Sequence, residues 1–137
     1  MTPPIRILHV DDEPADLEIT RILMKREVKD EFDIVGVTSA EAALEKLESE
    51  NFDIVIADYL MPPGIDGIEL LEVLKKSEKF AHLPFILFTG KGKSGTPEEC
   101  LEKGADRYIT KGGASAEKQC HILVKAVKEL VKGKKEA

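Results

Sequence analysis

The chain lacks most of the features that would assign it quickly. It holds only two cysteines in 137 residues, Cys100 and Cys120, with no Cys-x-x-Cys spacing. That excludes a disulfide framework and fits reduced thiols on helices. No apolar run approaches the roughly 20 residues of a membrane-spanning helix. The N-terminus, "MTPPIRILHV", has none of the layout of a signal peptide, so a cytoplasmic location is expected. Positive charge is not in excess: the formal net charge is −6, which points away from a nucleic-acid groove or an anionic membrane. The three histidines support no Ser-His-Asp or Cys-His arrangement. No internal repeat and no second domain are visible. One domain is expected over 1–137, with its core about 4–132 and a charged tail at 133–137.

What is present is an alternating pattern. Five apolar runs of strand length recur: "IRILHV" (5–10), "FDIVGV" (32–37), "DIVIA" (53–57), "PFILF" (84–88) and "RYIT" (107–110). Most are nearly continuous in Ile and Val, as suits strands covered on both faces. Helical patterns lie between them. Ala15, Ile19, Ile22 and Leu23 predict one apolar helix face, and Ala40, Ala43, Leu44 and Leu47 another, the latter led by a Thr38…Glu41 capping box. Ile68, Leu71 and Leu74 mark a third helix. A fourth starts at Thr96-Pro97 and stops at Gly104. The last follows Ser115 and is expected to bury Ile122, Leu123, Ala126, Val127, Leu130 and Val131. This order predicts an α/β domain with a doubly wound parallel sheet. The expected strand order is 2-1-3-4-5, with a ligand crevice at the carboxyl ends of strands 1 and 3.

Those ends carry a specific set of groups. Asp11 and Asp12 follow strand 1, Asp58 follows strand 3, Thr89 follows strand 4 and Lys111 follows strand 5. Taken singly, each is an ordinary turn or capping residue. Together they place three carboxylates, a hydroxyl and an ammonium on one rim. Crowded carboxylates repel unless a cation joins them, and hard oxygen ligands with open positions suit Mg²⁺, which also binds phosphate oxygens. A carboxylate can attack phosphorus to give an acyl phosphate. A lysine and a hydroxyl beside it supply the charge stabilisation on which phosphoryl transfer depends.

The motifs "ILHVDDEP", "DIVIADYLMPPGIDGIELL", "FILFTG" and "GADRYITK", in this order, resemble a response-regulator receiver domain of two-component signalling, over essentially the whole chain. The resemblance implies a flavodoxin-like (βα)5 fold and a role for each position. Asp58 would be the phospho-acceptor. Asp12 would ligate Mg²⁺ directly, with Asp11 its neighbour and the backbone carbonyl of Leu60 completing the protein's ligands. Thr89 would be the switch hydroxyl, Lys111 the phosphate-pairing lysine and Tyr108 the aromatic switch residue, whose plainer reading is a half-buried strand tyrosine. The implied partners are a histidine kinase and a downstream effector, and the implied output is a remodelled face of helix 4, strand 5 and helix 5. No turnover of an external substrate is expected, only self-phosphorylation and self-dephosphorylation at Asp58, the latter slow because Leu60 offers no polar side chain to orient water. Three departures stand out. One residue is extra in "DYLMPPGIDG" after Met61, Lys111 is followed by Gly112-Gly113 where proline is usual, and Leu60 is apolar. A stand-alone regulator and a receiver from a longer sensor protein both remain open.

Two other readings fit parts of the sequence. "FTGKGKSGT" ends like a nucleotide-binding loop, but the first glycine of G-x-x-x-x-G-K-[ST] would fall on Leu87. In that stretch only Thr89 is expected to carry chemistry, with Gly90 giving it room and Lys91 and Lys93 solvated. A Mg²⁺-dependent phosphohydrolase acting on small phosphate esters is the alternative function, although "DDE" lacks the D-x-D spacing that an aspartyl phosphatase would use.

Overall fold

The computed structural model describes residues 3–59, 64–90, 96–112 and 115–136, with side chains up to 133. Five parallel strands, β1 (Ile5–Val10), β2 (Phe32–Val37), β3 (Ile54–Ala57), β4 (Phe85–Gly90) and β5 (Arg107–Lys111), form one sheet in the order 2-1-3-4-5. They alternate with α1 (Pro14–Val28), α2 (Ala40–Ser49), α3 (Gly67–Lys75), α4 (Pro97–Glu102) and α5 (Ala116–Glu136). The doubly wound topology expected from the alternation is therefore the one formed.

The period-2 geometry of the strands sorts their side chains onto two cores. Leu8, Val10, Val55, Ala57, Phe85 and Leu87 pack against α2, α3 and α4. Ile7, Ile54, Ile56, Ile86 and Phe88 face the other way, toward α1 and α5. Both faces of β1, β3 and β4 are covered, which is why these strands read as nearly continuous apolar runs.

Several local expectations shift. The buried stripe of α1 is Thr20, Met24 and Val28, whereas Ala15 is exposed and Ile19 and Ile22 are 50% and 38% exposed. A polar Thr20 inside the true stripe and two isoleucines outside it rotate the face that apolarity alone predicts. Ile122 is likewise exposed, while Leu123, Ala126, Val127 and Val131 are buried as expected. Helix α2 is capped by Ser39, whose hydroxyl accepts from the Ala42 N–H at 3.0 Å, rather than by Thr38. Glu41 instead accepts from the Ile65 N–H at 3.4 Å. The last helix runs on through the residues expected to form a tail, to Glu136. Thr96 caps α4 as expected, and Gly104, at φ +116°, terminates it.

Candidate phosphoryl site

The rim of the sheet is built by register. Val10 lies opposite both Val37 and Ala57, so the residues one step further, Asp11 and Asp58, leave adjacent strands together. Their main chains are tied by Asp11 N–H to Val37 O at 3.1 Å and Asp58 N–H to Val10 O at 2.9 Å. β4 and β5 run further than their apolar runs suggest. Thr89 pairs with Thr110 and Gly90 with Lys111, so the hydroxyl and the lysine stand on the ladder itself and not in loops.

The next helix is seated on the backbone of this rim. Gly67 N–H donates to Tyr59 O at 2.7 Å. A β-carbon on Gly67 would lie 1.9 Å from the Asp58 carbonyl oxygen, so a residue without a side chain is what lets α3 start there.

Side chains then converge as the strand ends predict. Thr89 Oγ1 donates to Asp58 Oδ1 at 2.7 Å. Lys111 Nζ donates to Asp58 Oδ2 at 3.2 Å and to Asp11 Oδ2 at 2.5 Å. Asp11 Oδ1 also accepts from the Glu13 N–H at 3.0 Å, which closes the turn into α1. Asp11, Asp58 and Thr89 are buried, and Asp12 is partly exposed. The ring of Phe88 lies beside the ammonium, 5.3 Å from Nζ to its centroid. Tyr108 is half-buried against the core shared with α2, α3 and α4. Leu60, Met61, Pro63, Lys91, Lys93 and Gly113 lie outside the described residues. Gly112 is described, at φ +92°, a conformation open to glycine and closed to proline.

Sequence reasoning missed two residues. Asp16, on the first turn of α1, reaches Lys111 Nζ with Oδ2 at 3.3 Å. Its signal was available, since side chains in a first helical turn lean back toward the N-terminus and here over the strand ends. His9 is 2% exposed on β1, its ring 6.5 Å from that of Phe88. A histidine between Leu8 and Val10 on a strand was the only sign of it.

Three carboxylates, Asp11, Asp16 and Asp58, surround one ammonium, and the protonation equilibria respond. Burial pushes the Asp11 carboxyl up, and Lys111 and the Glu13 N–H offset this only in part. Burial works against charge on Lys111, yet its hydrogen bond to Asp11 and the field of Asp11, Asp58 and Asp16 hold it above the ordinary lysine value. Burial pushes His9 down to about 4, and the Lys111 cation adds to the effect.

The His9 shift has a measurable sign. The native imidazole stays neutral, while the unfolded one protonates near its ordinary value of about 6.5. The stability that neutral His9 supports is complete above about pH 6.5 and is lost as pH falls toward 4, by about 3 kcal/mol over that window. Asp11 acts in the opposite sense, since its raised value favours the fold at low pH and loses that contribution as pH rises. Comparing His9→Val with wild type isolates the histidine. Denaturant unfolding at several pH values in metal-free buffer should show a shallower acid loss in the variant; identical slopes would refute this assignment.

The donor set fits a hard divalent cation. Among the described residues, one carboxylate oxygen each from Asp11, Asp12 and Asp58 lies within 4.8 Å of the other two. The set is oxygen-only, and the partly exposed Asp12 leaves space for water, as Mg²⁺ prefers. No helix among the described residues is long and apolar enough to cross a membrane.

Comparison with known proteins identifies the family. The family model of the response regulator receiver domain matches residues 7–123. The chain is 32% identical over 106 residues to the two-component response regulator ORR5 of Oryza sativa subsp. indica, covering 77% of this chain and 76% of that one. It is also 32% identical over 109 residues to the sensor histidine kinase GacS of Pseudomonas protegens, covering 77% of this chain but only 12% of that kinase. Among solved structures, a CheY-like response regulator receiver domain protein of Methanospirillum hungatei superposes with a TM-score of 0.78 at 28% identity, over 97% of this chain and 98% of the other. By its sheet order, its clustered rim residues and these likenesses, the chain belongs to the response regulator receiver family.

Proposed function

We propose that this receiver takes a phosphoryl group from the phosphohistidine of a partner histidine kinase onto Asp58, and that Asp11, Asp12, Asp58 and the carbonyl of Leu60 hold Mg²⁺ while it does so. The observation that carries this reading is the approach of Thr89 and Lys111, from two further strands, to the two oxygens of one buried carboxylate. In the transfer, an Asp58 oxygen forms a bond to phosphorus as the N–P bond of phosphohistidine breaks. The imidazole leaves with the bonding electron pair. When bound, Mg²⁺ supplies charge neutralisation between carboxylate and phosphoryl oxygens.

Lys111 pairs with the incoming group as a point charge, and Thr89 turns from Asp58 toward the phosphoryl oxygens. Tyr108 then moves inward, and the α4–β5–α5 face changes shape for an effector. Phosphorylation biases two states of the domain, and the bias equals the difference in its contacts in each. The site sits in the cytoplasm under this reading and turns over no external substrate.

A small phosphodonor tests it. With acetyl phosphate and Mg²⁺, intact mass is expected to show one added phosphoryl group per chain, and chelation to abolish it. Phosphate release should not outrun decay of the labelled protein. Steady turnover of a phosphate ester without a labelled chain would favour the phosphohydrolase alternative.

A further inference from the structure

Lys111 Nζ donates to three carboxylates: Asp11 at 2.5 Å, Asp58 at 3.2 Å and Asp16 at 3.3 Å. An ammonium has three N–H donors, so these partners take up its full capacity. Asp11 and Asp58 both belong to the group that can hold a metal ion; Asp16 does not. The chain after Lys111 does not fix the side chain either, because Gly112 follows it at φ +92° with open space, among the described residues, where a β-carbon would stand. The Phe88 ring limits how far the ammonium can sink, but a ring face offers no directional acceptor.

We propose that Asp16 is a positioning residue for Lys111, holding the ammonium beside Asp58 once Asp11 is shared with a divalent ion. The inference rests on the receiver reading of this site and adds a residue to it. Without Asp16, Lys111 would depend for its placement on two carboxylates that the metal and the phosphoryl group also claim. The Asp16 side chain is 46% exposed, so its effect falls on where Nζ stands and little on fold stability.

The test uses the full chain as wild type, Asp16→Ala and Asp16→Glu. The Lys111 Nζ chemical shift, read through its non-exchanging ε-methylene protons, is compared with saturating Mg²⁺ and no phosphodonor. It should move in Asp16→Ala and return toward wild type in Asp16→Glu, with melting temperatures unchanged. Labelling by acetyl phosphate at saturating Mg²⁺ should slow about 5- to 10-fold in Asp16→Ala, the loss of one charge-assisted hydrogen bond. An unmoved Lys111 shift in Asp16→Ala overturns the proposal, whatever the labelling shows. A wild-type chain that is never labelled on Asp58 overturns the receiver chemistry instead, and the shift still decides whether Asp16 holds the lysine.

Discussion

Asp58→Asn is expected to abolish acyl-phosphate formation and leave the fold in place. The amide differs from the carboxylate by one heavy atom type and no volume. Its carbonyl oxygen can still accept from Thr89 Oγ1, the contact that Asp58 Oδ1 makes at 2.7 Å. Lys111 would lose its bond to Asp58 but keep those to Asp11 and Asp16. Removing a charge from a crowded acidic rim also relieves repulsion, so stability should hold or rise. What disappears is the proposed nucleophile, since an amide oxygen is far less nucleophilic toward phosphorus than an ionised carboxylate. Labelling by acetyl phosphate with Mg²⁺ should fall on the order of 10³-fold or more, the scale seen when a covalent nucleophile is removed. Intact mass and a melting curve on the same sample make the check. Labelling of the variant at the wild-type rate would place the acceptor on another residue.

A second large effect is expected at Gly67, which makes no chemical contact with the site. In Gly67→Ala the new β-carbon would sit 1.9 Å from the Asp58 carbonyl oxygen and 2.9 Å from its carbonyl carbon. Alanine is the better helix former by about 1 kcal/mol, which on its own would stabilise the start of α3. The clash is with main chain, which has no rotamer to escape into, so either α3 or the Asp58 backbone has to shift. Overpacking of this kind typically costs 1–3 kcal/mol even against movable side chains. A net destabilisation of about 2–4 kcal/mol is expected, together with slower labelling, because Asp58 moves relative to Thr89 and Lys111. Urea unfolding decides it: an alanine variant as stable as wild type would mean that α3 can back away freely, and that Gly67 does not set its docking.

The sequence made the sheet legible because the strands that matter are buried on both faces. β1, β3 and β4 appear as short apolar blocks, and each block ends in the residue that the rim needs. The site followed from topology, since order 2-1-3-4-5 puts the ends of β1, β3, β4 and β5 side by side however far apart they lie in the chain. What stayed hidden depends on rotation and contact. The face of α1 is set by its packing on α5 and the sheet, and Thr20 counts there for its shape and not its polarity. Asp16 read as one more surface acid in "DDEPADLE", because its partner is 95 residues away. The role of Gly67 is invisible without the position of the Asp58 carbonyl, although a glycine opening a helix is unusual enough to prompt the question.

The ladder between β4 and β5 constrains how a message can leave the rim. Thr89 and Lys111 belong to neighbouring rungs, so sliding either main chain would break the interstrand hydrogen bonds that join β4 to β5. Spinning Thr89 about χ1 gives up one bond, to Asp58. The easier first motion is thus a torsional hop of a single side chain on a stationary backbone. Any slower rearrangement would belong to the helices that respond, with the strands acting as a fixed bearing on which a small crank turns.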